Sequence, residues 1–224
     1  MIEEKITELK RELIEFATLV EHMIEKSIKG LLDRRRELLV EVLEKDEPRA
    51  NDMEIEIDEL CTTSIAQFQP KAKDLRTILM ISKISNDLER MGDHAVNIAE
   101  SSIFLIERAL VKPLIDIPRM GELTMKMLKD STNSFINEDA ALAKQVCERD
   151  GMVDDLKDQI LRELITFMSS DTSTIERSLH LLRISNNLER IADLSTNICE
   201  DVIFITEGKV IKHHKSDVER GDKV

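Results

Sequence analysis

Residues 84–105, ISNDLERMGDHAVNIAESSIFL, return as ISNNLERIADLSTNICEDVIFI at residues 184–205, identical at 12 of 22 positions without a gap. Upstream, VLEKD at Val42 to Asp46 answers VCERD at Val146 to Asp150, and Met23 answers Met127, both at an offset of 104. The chain is a tandem duplication, so each half must bury an apolar face of its own. Whatever fold one half adopts, the other repeats.

The apolar spacing says which fold. Ile6, Leu9, Leu13, Phe16, Val20 and Met23 alternate by three and four, the seam of a bundle helix. Ile81, Ile84, Leu88, Met91, Ala95, Ile98, Ser102, Leu105 and Ala109 do the same. Aromatics are only 3% of the chain, with no Trp or Tyr, which suits helical bundles better than sandwiches or barrels. Pro48, Pro70, Pro113 and Pro118 fall where the periodicity breaks and read as helix boundaries.

Six helical segments follow, at about Glu3 to Glu44, Pro48 to Phe68, Asp74 to Val111, Arg119 to Arg149, Met152 to Ser169 and Thr174 to Glu207. Ser173 with Glu176 reads as a capping box opening the last, and Gly208 as its stop. Each half then supplies a long, a shorter and a long helix, and three helices are the fewest that close a core. The expected fold is all-α, two three-helix bundles in tandem: residues 1–112, residues 113–208, and a polar tail at 209–224 that frays.

Charge narrows the partners. With 32 basic against 45 acidic residues the formal net charge is −13, which disfavours nucleic acid. No apolar run approaches the roughly 20 residues that span a bilayer, so membrane insertion is not expected. MIEEKITELK lacks the apolar core of a signal peptide. Cys61, Cys147 and Cys199 are widely spaced and form no C-x-x-C, the usage of reduced core thiols in a cytoplasmic protein.

At about 100° per residue, Glu89, Asp93, Asn97, Glu100 and Asn86 share one stripe about 80° wide, while Leu88, Met91, Ala95 and Ile98 lie on the opposite side. Carboxylates four apart repel by a few tenths of a kcal/mol, and Asn is a poor helix former. Arg90 sits about 100° around from Glu89, outside the stripe. Glu189, Asp193, Asn197, Glu200 and Asn186 restate the layout, with Arg190 displaced identically. Seam packing accounts for some of the identities, but not for these. Glu54 and Asp58 form another E-x-x-x-D pair, and Asp150, Asp154 and Asp158 step by four. Oxygen ligands clustered on two rigid helices suit a hard cation. A merely solvated acidic face is the competing reading.

LERMGDHAVNIAE, LERIADLSTNICE and DMEIEIDELC resemble the paired signatures of the PhoU family of phosphate-uptake regulators, over essentially the whole chain. The resemblance implies a cytoplasmic accessory protein, a negative regulator of phosphate uptake and the phosphate-starvation response. It further implies an adaptor between the ATPase subunit of a phosphate ABC transporter and a phosphate-sensing histidine kinase. Carried over residue by residue, metal ligands are Glu54, Asp58, Glu89, Asp93 and Asn97, then Asp154, Asp158, Glu189, Asp193 and Asn197. The family's surface clusters point to iron, often multinuclear, and leave manganese, magnesium, zinc or calcium open. A homodimer is also expected. The departure is at Lys157 and Leu161, which stand opposite Glu54 and Asp58 in an ungapped alignment.

Two other classes remain in view, a di-metal oxidase or metal-storage bundle and a purely structural dimeric scaffold. No His has a Glu three residues before it, so the Glu-x-x-His of ferritin-like sites is missing. His94 and His180 read as packing or solvent residues, while His213 and His214 could capture metal nonspecifically. The ten Met residues fall mostly at seam positions. Arg34, Arg35 and Arg36 read as a solvated basic run or a contact for an acidic partner or phosphate. No glycine-rich phosphate loop or serine-histidine-acid order is recognisable. The chain reads as a regulator, not an enzyme.

Overall fold

The computed structural model describes residues 1–207; Gly208, His213, His214 and the rest of the tail lie outside the described residues. Among the described residues the regular elements are all helical. Helix α1 (Ile2–Leu32) buries Leu9, Leu13, Phe16, Val20 and Met23, the alternating seam. Full burial of a side chain such as Phe16 stabilises by about 2–3 kcal/mol.

The first helix, expected to reach Glu44, ends at Leu32. Arg34 takes a left-handed φ of 54°, and the chain doubles back so that Leu39 packs against Gly30. A Cβ at Gly30 would sit 2.5 Å from Leu39 Cδ2, so the close return needs glycine there.

Beyond the turn, α2 (Arg36–Glu41), a π turn (Val42–Asp46) and α3 (Glu47–Phe68) follow without interruption. Pro48 is therefore no boundary between long helices. The Glu47 amide reaches back to the Val42 carbonyl, and this widened turn admits a proline where its missing N–H is harmless. Lys26 of α1 holds the π turn through Asp46 at 2.8 Å and Glu41 at 3.0 Å. Helix α4 (Lys73–Ile106) completes the first half.

In the second half α5 (Asp116–Asn137) and α6 (Ala140–Ser170) meet at residues 137–140, not at the expected break near residue 150. Glu138 has φ 54°, and Asp139 Oδ1 accepts from the amides of Ala141 and Leu142, both at 3.0 Å, a strong N-cap. Gly151 lies exposed inside α6 with open space around it. The expected long, shorter, long order fails here, because α5 has 22 residues and α6 has 31. A 3-10 turn (Thr172–Thr174) leads into α7 (Ile175–Glu207); its cap is Asp171, whose carboxylate accepts from the Ser173 amide and hydroxyl, both at 2.9 Å, and Ser173 lies inside the turn instead of capping the helix.

Helices α1, α3 and α4 form one bundle and α5, α6 and α7 the other, joined where α1 meets α5 and α4 meets α7. One continuous apolar cluster runs through both. Ser27 Oγ donates to the Ala95 carbonyl at 3.0 Å, and Gly121 of α5 lies against Ile28 of α1. No described helix is long and apolar enough to cross a membrane. The consequence for function is that both acidic motifs lie on helices that pack together.

Candidate functional site

Helices α3 and α4 run antiparallel, which sets Ala50 beside Gly92 and Cys61 beside the Ile78 carbonyl. Glu54 thereby comes level with Glu89, and one turn further along α4 stands Asp93. Burial raises the Glu89 carboxyl above the ordinary range, and the charges of Asp93 and Glu54 raise it further. Among the described residues no hydrogen bond or ion pair engages the carboxylates of Glu54, Glu89 or Asp93. Asp58 is drawn elsewhere, accepting from Ser82 Oγ at 2.7 Å. Asn97 donates to the Asp93 backbone carbonyl at 2.9 Å.

The second half answers with a different charge arrangement. Lys157 of α6 donates to Glu189 Oε1 at 2.7 Å, and Asp154 and Asp158 add to the negative field around its ammonium. Asp193 is pushed up to about 6, first by burial and then by Glu189, Asp150 and Asp154, with Lys157 opposing them. Asp193 prefers its neutral form more in the folded chain than in the unfolded one. Its contribution to stability is therefore full below the unfolded value of 3.8 and lost as pH rises through about 6.

In EDTA, Asp193→Asn is expected to stabilise the protein at pH 8 by about 1 kcal/mol more than at pH 4, after discounting for exposure. Thermal unfolding at the two pH values checks this.

The stripes do not simply face away from the molecule, as helical geometry alone suggests. Where α4 crosses α7, Asp93 and Asn97 line a groove of about 410 Å³ opposite Asp193 and Asn197. Arg90 and Arg190, outside the stripe on the helical wheel, line the same groove. That shared position gives the repeated arginines a structural reason. His94 joins the halves, its Nδ1 donating to Asn187 Oδ1 at 2.9 Å. Burial lowers the His94 imidazole below its ordinary value; the hydrogen bond to Asn187 opposes this, and the charges of Arg190 and Arg90 add to the lowering.

The chain matches the PhoU domain twice, at residues 13–102 and 117–202. It is a member of the PhoU family. A PhoU homolog from Aquifex aeolicus, named a phosphate-specific transport system accessory protein, is 41% identical over 209 residues, covering 93% of this chain and 94% of the relative. A homolog of the same name from Pseudomonas aeruginosa is 35% identical over 210 residues, 93% of this chain and 86% of that one. The crystal structure of PhoU from Pseudomonas aeruginosa superposes with a TM-score of 0.89 at 34% identity, covering 93% of this chain and all of that one. PhoU from Streptococcus pneumoniae, a phosphate transport system regulatory protein, gives 0.87 at 27% identity, covering 95% and 100%.

PhoU signatures thus supply the carboxylates of both repeats, and the fold distributes them unequally. Glu54, Glu89 and Asp93 gather between α3 and α4, whereas Asp58 stands apart at Ser82. Around Lys157 stand Glu189, Asp154 and Asp158, and Asp193 feels the same ammonium. Among the described residues no three His, Cys, Asp or Glu side chains converge closely enough to hold an ion as they stand. The donor chemistry, all oxygen and crowded with like charge, fits a hard cation in the first repeat. In the second, Lys157 occupies part of that role.

Proposed function

We propose that this chain is a negative regulator of phosphate uptake and of the phosphate-starvation response. It acts in the cytoplasm as a metal-bearing adaptor between the ATPase subunit of a phosphate ABC transporter and a phosphate-sensing histidine kinase. The observation that carries this reading is similarity along both repeats to proteins named for phosphate-specific transport. The chain works by binding rather than by catalysis.

Glu54, Glu89 and Asp93, with Asp58 and Asn97 nearby, are the residues that would hold a cation in the first repeat. In the second they are Glu189, Asp193, Asn197, Asp150, Asp154 and Asp158. A bound cation supplies positive charge where α3 meets α4, removing repulsion among carboxylates that no basic side chain pairs. Iron is the favoured ion, with manganese, magnesium, zinc and calcium as alternatives. Neutralisation firms the helix faces and presents them to partners, and two copies of the chain associate.

Metal analysis of the purified protein tests this beside partner capture. The wild type is expected to retain metal and to hold the ATPase subunit and the kinase. The double variant Asp93→Ala, Asp193→Ala is expected to lose most of the metal and at least tenfold in partner affinity. Wild-type metal content and capture in that variant would remove the acidic faces from the mechanism.

A further inference from the structure

Two of the three cysteines meet in the second bundle, and the adaptor reading makes no use of them. Helix α5 sets their level: its Asp130 pairs with Arg149 of α6, and Ser134, one turn on, has its Oγ 4.0 Å from the Cys199 sulfur of α7. Cys147, two residues before Arg149, therefore lies within about a turn of Cys199 where α6 packs on α7. The two thiols share a hydrogen bond, Cys199 donating to the Cys147 sulfur. Cys199 is fully buried, whereas Cys147 keeps part of its surface in solvent.

Packing does not account for the pair. The repeat sets Leu43 opposite Cys147 and Ala99 opposite Cys199, so the first bundle fills the equivalent positions with plain apolar side chains. Cys61 is the contrasting case, buried in the first bundle with its thiol donating to the Ile78 carbonyl at 3.6 Å. Reactivity of a thiol follows its access to solvent, and a second thiol in contact diverts the first oxidation product into a disulfide. In a reducing compartment such bonds are transient and redox-sensing.

We propose that Cys147 and Cys199 form a peroxide-responsive dithiol whose oxidation clamps α6 to α7 beside the second acidic face. Hydrogen peroxide meets the accessible Cys147 first. Its sulfur, as thiolate, bonds to one peroxide oxygen while the O–O bond breaks, which leaves a sulfenic acid. The departing hydroxide takes up the proton released by the thiol and leaves as water. The Cys199 sulfur then attacks the Cys147 sulfur, the S–O bond breaks, and the hydroxyl leaves with the Cys199 proton as a second water. Two thiols lose two electrons, and one peroxide is reduced to two waters. A dithiol reductant reverses the bond by thiol–disulfide exchange. Asp150 follows Cys147 by three residues and Glu200 is adjacent to Cys199, so the clamp joins the two helices that carry the second-repeat carboxylates. It holds whether or not those carboxylates bind metal.

The test treats purified full-length protein with hydrogen peroxide in EDTA, blocks the remaining thiols with N-ethylmaleimide and maps them by mass spectrometry. Cys147 and Cys199 are expected to disappear together, with a mass loss of about 2 Da in one cross-linked peptide pair, and Cys61 to react about tenfold more slowly or less. Dithiothreitol should restore both thiols. Oxidation should raise the melting temperature by about 5 °C or more, because a bond closing so long a loop restrains the unfolded chain. Cys199→Ala, which installs the first repeat's residue, should stop at a Cys147 sulfenic acid that dimedone captures; Cys147→Ala should slow oxidation of Cys199 about tenfold or more. The wild-type arm decides the matter even if neither variant folds. Sulfinic acid at Cys147 without a disulfide, a disulfide between two chains, or equal loss of all three thiols overturns the proposal. A Cys147–Cys199 bond that leaves the melting temperature within about 1 °C of the reduced protein overturns the clamp.

Discussion

Lys157→Glu is expected to raise the divalent-cation affinity of the second repeat by tenfold or more and to lower thermal stability in EDTA. Lys157 stands where the first repeat has Glu54, and its ammonium lies 2.7 Å from Glu189 with both side chains largely shielded, at 30% and 19% exposure. The hydrogen bond to Glu189 is the first cause holding the lysine above its ordinary value; burial opposes it, and the charges of Glu189, Asp154 and Asp158 reinforce it. Replacing that cation with a carboxylate removes an attraction and adds a repulsion. The metal-free protein should lose about 1–2 kcal/mol, a figure discounted for partial exposure. A cation would then relieve more repulsion than it does in the wild type, and this differential appears as affinity. Calorimetric titration of EDTA-stripped protein with Mn²⁺ measures the gain. Lys157→Met separates the lost ammonium from the new carboxylate, because it should destabilise without conferring the full tenfold. Equal affinity in Lys157→Glu and wild type would mean that the second-repeat carboxylates do not act around this position.

How much of this was legible in the sequence depends on the range of the interaction. The seams of α1 and α4 were readable because burial at a period of about 3.6 is a local pattern; Leu9 to Met23 and Ile81 to Leu105 are buried as their spacing requires. Helix ends were misread where the chain turns without glycine or proline. Arg34 and Glu138 both take φ 54°, a conformation for which neither residue type is a signal. Pro48 failed in the opposite sense, since the π turn at Val42–Asp46 makes room for it. The Asp139 cap was the available clue in the second half, an Asp just before an alanine-rich run. At the site, the angular layout of each stripe was legible, because it depends on one helix. That Asp93 and Asp193 share a groove was not, because it depends on α4 crossing α7 about a hundred residues later. Nor could spacing show that Asp58 is taken up by Ser82. The pairing of Lys157 with Glu189 was foreshadowed only as an odd residue in the alignment of the two halves.

Lys112→Met should be among the most damaging single changes to this chain, at about 3 kcal/mol, or roughly 6–12 °C in melting temperature for a protein of this size. The Lys112 side chain is 6% exposed and reaches Asp116 at 2.9 Å as well as Glu163. Removing it strands Asp116, itself only 12% exposed, without its ion pair. The more open Glu163, at 39%, relaxes into solvent and holds the loss below the upper range for buried pairs. Burial alone would lower the lysine's proton affinity, but hydrogen bonds to Asp116 and Glu163 outweigh it and the net shift is upward. A raised lysine stabilises the fold fully below its unfolded value of 10.5 and loses that contribution as pH climbs through the folded value. Wild type should therefore shed stability in the alkaline limb above about pH 10.5, and Lys112→Met should shed less there because the contribution is already gone. Adding Asp116→Asn removes the stranded charge and should restore part of the loss. A melting temperature within 1 °C of wild type for Lys112→Met would mean that Arg34, which donates to the Arg108 carbonyl, and Arg177, which donates to the Ala109 carbonyl at 2.9 Å, suffice to hold residues 107–115. The larger loss expected here makes Lys112 the main fastening of the joint between the repeats, with Arg34 and Arg177 adding to it through the carbonyls of Arg108 and Ala109.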